Sequence, residues 1–563
     1  MTIGLLVCYY SRVFTRIKGS PTTKKKYLQI CKATYTNGRT SHKVLGSLGA
    51  IDSLVESGEV EKLIRSLNQV LVQYNCALPL QNLIPAIKEL KRYQWGGVKV
   101  IEKLWNTFQM DNFLEDQKIN TDFDFGKVLS LLVLDRFMNP RSKLKTYEHA
   151  ADYWGINNEE IELQYIYRSM DVLARLKPNL ERHLFDINTN LFNMKVNVVF
   201  CDATTVYFQS QKKDELKDFG FSKDSKFKDV QVVIGLLMDQ VGRPIGFEIF
   251  SGNTFDGHTV VQALASLKEK FEINKLIFVG DRGLCNEENL MVIAKAGYEY
   301  IVGMPIKRES RALKEQALDL DSYESTVVQH DDACSEMLRY KIIDRNCKLR
   351  NKENKKDFIE VKERILCSWT QSRARKDAHD RGILIDKAKE VLGGKSRLRK
   401  SGKAKYLVLK EEVKYLDEAK ILEDEKWDGI YTIRTNNTEL SKEAIYDQYH
   451  QLWRIEDCFR VMKSHLKIRP VYHWKPRRIT GHLVLCFLTF ALERHLEIEL
   501  RKQKIQTSPA KIREAISQMQ ASLVEINQKE YLMRSAVDAH GRQILKSLKI
   551  KVPQDLSLTK EFS

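Results

Sequence analysis

One aspartate constrains this chain more than any other residue. The run KVNVVFCDATTVYF (residues 195–208) sets Asp202 inside an otherwise apolar, β-branched stretch. An ionised carboxylate in such a strand costs several kcal/mol unless something offsets it. A hydrogen-bonded aspartate at a strand irregularity is the plain reading, and Thr204 and Thr205 make it easy; a bound divalent cation would offset the charge directly. Two more strand-like runs follow, VQVVIGLLMD and RPIGFEIFSG, with Gly242-Arg243-Pro244 turning between them. The pattern then alternates: a helix from about Thr259 to Phe271, a buried strand LIFVG, a helix from Asn286 to Ala296, and a strand YEYIVGM. Three adjacent strands followed by alternating helix and strand predict an α/β sandwich on a mixed sheet.

A second aspartate gives the first a partner. Asp281 directly follows LIFVG and precedes Arg282-Gly283, at the carboxyl end of a buried strand. Ligands bind along that edge of open α/β sheets, although a turn-forming Asp before Arg-Gly remains the alternative. A carboxylate within one strand and another at the end of a neighbour can serve one pair of metal ions, and hard cations such as Mg²⁺ take oxygen ligands.

A third acid sits on a helix. Ser441 is a suitable N-cap for a helix running to about His465. Within YDQYHQLWRIEDCFRVMKSHLK, Tyr449, Glu456 and Lys463 recur every seven residues and so fall near one line, drifting about 20° per heptad. Leu452, Ile455, Phe459 and Met462 form an adjoining apolar stripe suited to packing on a sheet. Alone, such a helix reads equally well as a solvated polar face; two sheet aspartates upstream favour a shared site.

Composition bears on the partner. The 563 residues suggest three or four units. With 92 Lys and Arg against 74 Asp and Glu, the net charge of +18 favours a polyanion, since neutralised phosphates release counterions. The ten cysteines form no CxxC pair, which speaks against a zinc ribbon or a disulfide framework. Ile3 to Tyr10 lacks a basic n-region and reads as a strand rather than a signal peptide. Leu483 to Leu492 is too short to span a bilayer. The expectation is a soluble, cytoplasmic protein with no membrane contact.

The remaining chain divides by pattern. Residues 1–52 read as a β-hairpin region around Asn37-Gly38. Residues 53–190 read as helical and DNA-binding. Asn139-Pro140 breaks this stretch before a basic run, where ordinary helical packing is favoured over a helix-turn-helix. The core occupies 191–303 and 427–500, interrupted by a β-rich insertion at 304–426, and 501–563 reads as a C-terminal helical region starting at Ser508-Pro509. Within the insertion, GGKSRLRKSGKAK (393–405) reads either as a DNA-touching loop or as a solvated charge run. Gly394-Lys395-Ser396 lacks the first glycine of a phosphate-binding loop.

These segments resemble the DDE transposases of bacterial insertion sequences. The resemblance is specifically to the group, in the insertion-sequence-four superfamily, whose last catalytic helix carries Tyr-x2-Arg-x3-Glu-x6-Lys. Tyr449, Glu456 and Lys463 match; Leu452 occupies the arginine position and Arg454 lies two residues on, resembling a subgroup with Tyr-x-Gln-Leu-Trp-Arg-Ile-Glu. The resemblance covers roughly residues 195–500. It implies a ribonuclease-H-like catalytic core, two Mg²⁺ (or Mn²⁺) ions on Asp202, Asp281 and Glu456, and cut-and-paste transposition by DNA cleavage and strand transfer. It further implies double-stranded DNA partners (terminal inverted repeats and target) and a homodimer in the synaptic complex. The β-rich insertion accounts for the 175 residues between Asp281 and Glu456. Tyr449 and Lys463 are expected to contact DNA phosphates, with Arg454, Arg460 and Lys467 as further backbone contacts. Alternatives are a nuclease of the same fold without strand transfer, or a domesticated DNA-binding protein.

Overall fold

The computed structural model describes residues 11–19, 25–36, 39–60, 62–63, 66–67, 70, 87–192, 197–220, 228–254, 267–273, 275–283, 286–329, 335–351, 354, 356–393, 405–410, 413–526 and 529–559. The Ile3 to Tyr10 run, the Asn37-Gly38 turn, the first part of the helix expected from Thr259 and nearly all of the basic run 393–405 lie outside them. The chain divides into two compact units, Met1–Lys88 with Glu525–Lys529, and Glu89–Val524 with Glu530–Ser563.

In the first unit, β1 (Ser11–Gly19), β2 (Lys26–Thr36) and β3 (Arg39–Ala50) form an antiparallel sheet followed by a short helix, Ile51–Glu56. Thr36 pairs with Arg39 at the end of this ladder. Cys31 and Leu54 are its buried apolar side chains.

The second unit is built on nine strands in one mixed sheet. Its first five are β5 (Val198–Tyr207), β6 (Gln231–Asp239), β7 (Pro244–Ser251), β8 (Ile277–Gly280) and β9 (Glu299–Gly303). They lie in the order β7-β6-β5-β8-β9, with β5, β6 and β7 antiparallel and β8 and β9 parallel to β5. This is the mixed sheet that the alternation of apolar runs predicts. Every residue of β6 is buried, as expected of a strand covered on both faces.

The insertion adds to this same sheet. β10 (Glu324–Gln329), β11 (Ser335–Arg350) and β12 (Phe358–Thr370) are antiparallel, and β12 pairs with β15 (Ile430–Thr435), which pairs with β9. A small hairpin of β13 (Leu407–Lys410) and β14 (Val413–Leu416) stands apart from that sheet. The insertion also carries a 22-residue helix, Gln371–Leu392, which the β-rich expectation missed. Its charged sequence buries only Ala388 and Val391, so no apolar stripe announces it. Thr370 caps it, accepting from the Arg373 N–H at 3.3 Å.

Helices cover the sheet. Phe125–Met138, Leu163–Phe192 and Pro476–Lys502 pack together, and the last is buried on nearly every side. No helix among the described residues is long and apolar enough to cross a membrane. The main core joins Val198, Phe200 and Val279 of the sheet to Ile455, Phe459, Leu483 and Phe487 of the helices. The six described cysteines are free thiols, as their spacing implies.

Two expectations need correction. The C-terminal region is not purely helical: between helices Pro509–Ser517 and Ala539–Ser547 run β16 (Gln520–Ile526) and β17 (Lys529–Arg534), and β18 (Leu556–Leu558) follows. They form a sheet with β4 (Lys88–Gln94), which lies in the stretch expected to be helical. β4 and β16 lie more than 400 residues apart, so no local signal announces their pairing. The helix from Ser441 is also not continuous. Ser441 caps it as expected, accepting from the Ala444 N–H at 3.1 Å. The helix then stops at His450, resumes at Trp453–Arg460, and widens into a π turn at Val461–His465. Hydrogen bonds of the tighter i→i+3 kind bridge the break, from Leu452 to Tyr449 and from Arg454 to Gln451.

Candidate active site

The sheet register brings the two aspartates together. β5 and β8 pair in parallel with Phe200 opposite Val279, and carrying that register two residues further sets Asp202 beside Asp281. Side chains alternate between sheet faces. Val198, Phe200 and Val279 face the main core, whereas Val199, Cys201 and Phe278 face the opposite layer. Asp202 and Asp281 continue the first set, and the helix Trp453–Arg460 packs on that face through Ile455, Cys458 and Phe459. Its Glu456 is exposed and reaches the same space. Asp202, Asp281 and Glu456 all line one cleft of about 420 Å³.

Local structure fixes both aspartates. Asp202 is half-buried, and its Oδ1 accepts the Ala203 N–H at 2.7 Å. Asp281 is exposed at the end of β8, and its Oδ1 accepts the Gly283 N–H at 2.8 Å, closing a turn. Behind them Cys201 stays a neutral thiol: burial, reinforced by the charges of Asp202 and Asp281, pushes its ionisation up.

Cations and phenols complete the cleft. Arg282 and Arg373 line it, with their guanidinium carbons 4.4 and 5.3 Å from the centre of the Tyr431 ring. The hydroxyls of Tyr431 and Tyr449 are 2.5 Å apart. Burial, followed by the Tyr431 hydroxyl, raises the Tyr449 ionisation well above the ordinary range, so it stays a phenol. Gly303 makes this arrangement fit: a Cβ there would run into the Tyr449 hydroxyl and lie 2.8 Å from Arg282 Cγ.

The other expected residues are spread out. Leu452, in the position where arginine was expected, lines the cleft. Arg454 does not; it donates to the Val241 carbonyl at 3.4 Å and lies 5.5 Å from the Trp453 ring centre. Arg460 is exposed and paired with Asp457. Burial works against ionisation of Asp457, but Arg460 and Arg494 outweigh it and hold that carboxyl below its usual range. Lys463 lies half-buried in the π turn, outside the cleft, and Lys467 lines a different cavity. Sequence reasoning missed Arg282 and Arg373. The first adjoins Asp281 in VGDRG and could have been read there; the second has no signal in its charge-rich surroundings.

Among the described residues no three His, Cys, Asp or Glu side chains stand close enough to hold one ion together. The three carboxylates therefore share a cleft without converging on a point.

The family model described as the transposase DDE domain matches residues 195–492, just over half of the chain. It begins three residues before β5 and ends within the buried helix, enclosing all three acids. The chain belongs to the transposase DDE domain family. No curated protein matches it. Among solved structures it is similar to the cryo-EM structure of a piggyBac transposase synaptic complex with hairpin DNA, at 8% identity and a TM-score of 0.32, covering 75% of this chain and 77% of that one. A superposition that loose carries no argument about this chain.

Proposed function

We propose that this transposase binds the ends of its element as double-stranded DNA, cleaves them in a metal-dependent reaction and transfers the freed 3′ end to target DNA. The observation that carries this reading is the meeting of Asp202, Asp281 and Glu456 on one cleft at the end of a ribonuclease-H-like sheet. The donor set fits hard divalent cations, because all three side chains present only carboxylate oxygens. Three ligands on a single ion are not needed: two Mg²⁺ (or Mn²⁺) ions would divide the acids between them and complete their shells with water and phosphate oxygens. When bound, such ions polarise the scissile phosphate and lower the pKa of the attacking water or hydroxyl.

The chain's own residues supply position. Arg282 and Arg373 stand beside the carboxylates and would hold non-bridging phosphate oxygens as charge-assisted donors. Tyr449, neutral and braced by Tyr431, would orient a strand rather than exchange a proton. Lys463, Arg454, Arg460 and Lys467 lie outside the cleft and would bind flanking backbone. We place the working complex in the cytoplasm as a homodimer joining two ends.

A strand-transfer assay tests this reading: labelled candidate element ends, a target plasmid and Mg²⁺, with products resolved on a gel. The expected result is nicking at the ends followed by joined products. Nicking with no joined product under any divalent ion would favour a nuclease of the same fold. Binding without nicking would favour a domesticated DNA-binding protein.

A further inference from the structure

A second cavity, of about 450 Å³, lies away from the carboxylates and has a different character. Its lining includes Arg141, Lys143, Lys467, Arg469, His473 and His482, together with Arg136, and no Asp or Glu. Asp135, whose charge reaches Lys143, does not line the cavity and is engaged by three neighbours. Asp135 accepts from the Thr146 hydroxyl at 2.6 Å and the Tyr153 hydroxyl at 2.9 Å, and pairs with Arg141 at 3.4 Å.

The walls are fixed by the fold. Arg136 donates to the Leu466 and Lys467 carbonyls at 3.1 and 3.4 Å, and His482 sits 3.1 Å from the Ile468 carbonyl. Val471 donates to the Tyr207 carbonyl at 3.2 Å, tying this loop to the end of β5. Lys467 is held in the left-handed region at φ 45°, a conformation that costs a non-glycine residue energy.

Two buried polar side chains line this space. Lys143 is 5% exposed and lines the cavity, where burial and Arg136 work against its ammonium and the charges of Cys486 and Asp135 favour it. Nδ1 of His482, also 5% exposed, has no hydrogen-bond partner among the described residues. A buried ammonium is expensive to keep charged, and an anion entering the cavity would offset that cost. Burial, and then the Arg136 charge, bring the Lys143 ammonium down to about 7, so an arriving anion would restore its charge. At the mouth, Tyr472 is 61% exposed, and Trp474 close by in sequence is 70% exposed. An exposed ring on the wall of a basic cavity, as Tyr472 is, suits a nucleotide, whose base stacks while its phosphate is neutralised.

We propose that this cavity is a nucleotide-phosphate site of the transposase, separate from the carboxylate cleft, in which Lys143 and Arg469 hold a phosphate group of a nucleic-acid strand. The assignment stands independently of where cleavage occurs.

The test uses thymidine 3′,5′-bisphosphate and, separately, inorganic phosphate, each titrated calorimetrically onto the full chain, with thermal melting in parallel. The expected result is one bisphosphate per chain, binding weakened ten-fold or more in Lys143→Met and in Arg469→Gln, and retained in Asp281→Asn. Inorganic phosphate should bind at least ten-fold more weakly than the bisphosphate. Without ligand, Lys143→Met should melt at or above the wild-type temperature, since it removes a buried charge. A purely structural lysine would give the opposite, a lower melting temperature with binding unchanged, and would overturn the proposal. Equal affinity for both probes would overturn the strand assignment, and no binding of either would overturn the site.

Discussion

Gly303 shows how little space separates the parts of the cleft. Gly303→Ala would push a methyl group against the Tyr449 hydroxyl, Arg282 and Tyr431 at once. The fold can absorb that only by moving the side chains proposed to hold the DNA strand. Since misplacement by about 1 Å can cost on the order of 10²-fold, a single-turnover assay should show cleavage at least ten-fold slower, with binding of element ends nearly unchanged. Wild-type cleavage by this variant would remove Arg282 and Tyr449 from the account. A second residue speaks to stability. Glu493 is buried, with its nearest cation Arg513 at 3.9 Å, and burial pushes its carboxyl up to about 8 despite that charge. Between about 4.5 and 8 the folded chain therefore holds a proton that the unfolded chain has released, and stability falls as pH rises through that window. Glu493→Gln should flatten the dependence, melting close to wild type at pH 5 and higher than wild type at pH 8.5. At this scale the sequence was readable where chemistry violated the local pattern. Asp202 interrupts an apolar strand and Asp281 ends one, so both stood out. Arg373 conforms to a charge-rich neighbourhood and did not.

Among elements, the helix bearing Glu456 depends on the buried helix Pro476–Lys502. Arg494 of the latter donates to Asp457 at 3.1 Å and to Glu497 at 2.8 Å, while Asp457 adjoins Glu456 in sequence. Arg494→Leu would leave Asp457 only Arg460 and Glu497 only Arg501, so the loss should lie at or below the lower end of the about 3–5 kcal/mol that breaking a buried pair outright costs. Urea denaturation should show a loss of that order, and cleavage should fall with it. An unchanged midpoint would mean the pairing does not hold the helix. Ser441→Ala removes a helix cap and should cost about 1 kcal/mol by the same measurement. The strands of the core, and the cap at Ser441, were legible because period-2 apolar runs and a serine before a helix are local signals. The break after His450 was not: Gln451 and Leu452 are good helix formers, and tertiary packing overrides them. The pairing of β4 with β16 was hidden for the related reason that the two lie at opposite ends of the chain.

At the scale of the whole molecule, charge and architecture point the same way. An excess of 18 positive charges on a chain whose insertion adds to a nine-stranded sheet suits a long, backbone-directed DNA footprint. Affinity for element ends should fall steeply with salt, with log K linear in log salt concentration, and filter binding between low and physiological ionic strength checks this. A salt-independent affinity would rule out a phosphate-dominated interface. The order of elements around the core was readable because alternation of strand and helix dictates a mixed sheet; the merging of the insertion into that sheet was not, since no local pattern states which edge a strand will join. The central claim remains that Asp202, Asp281 and Glu456 form one catalytic site. Asp202→Asn, Asp281→Asn and Glu456→Gln should each lower Mg²⁺-dependent nicking of element ends by at least a thousand-fold while each variant still binds those ends. Nicking at the wild-type rate by any one of the three would contradict the account.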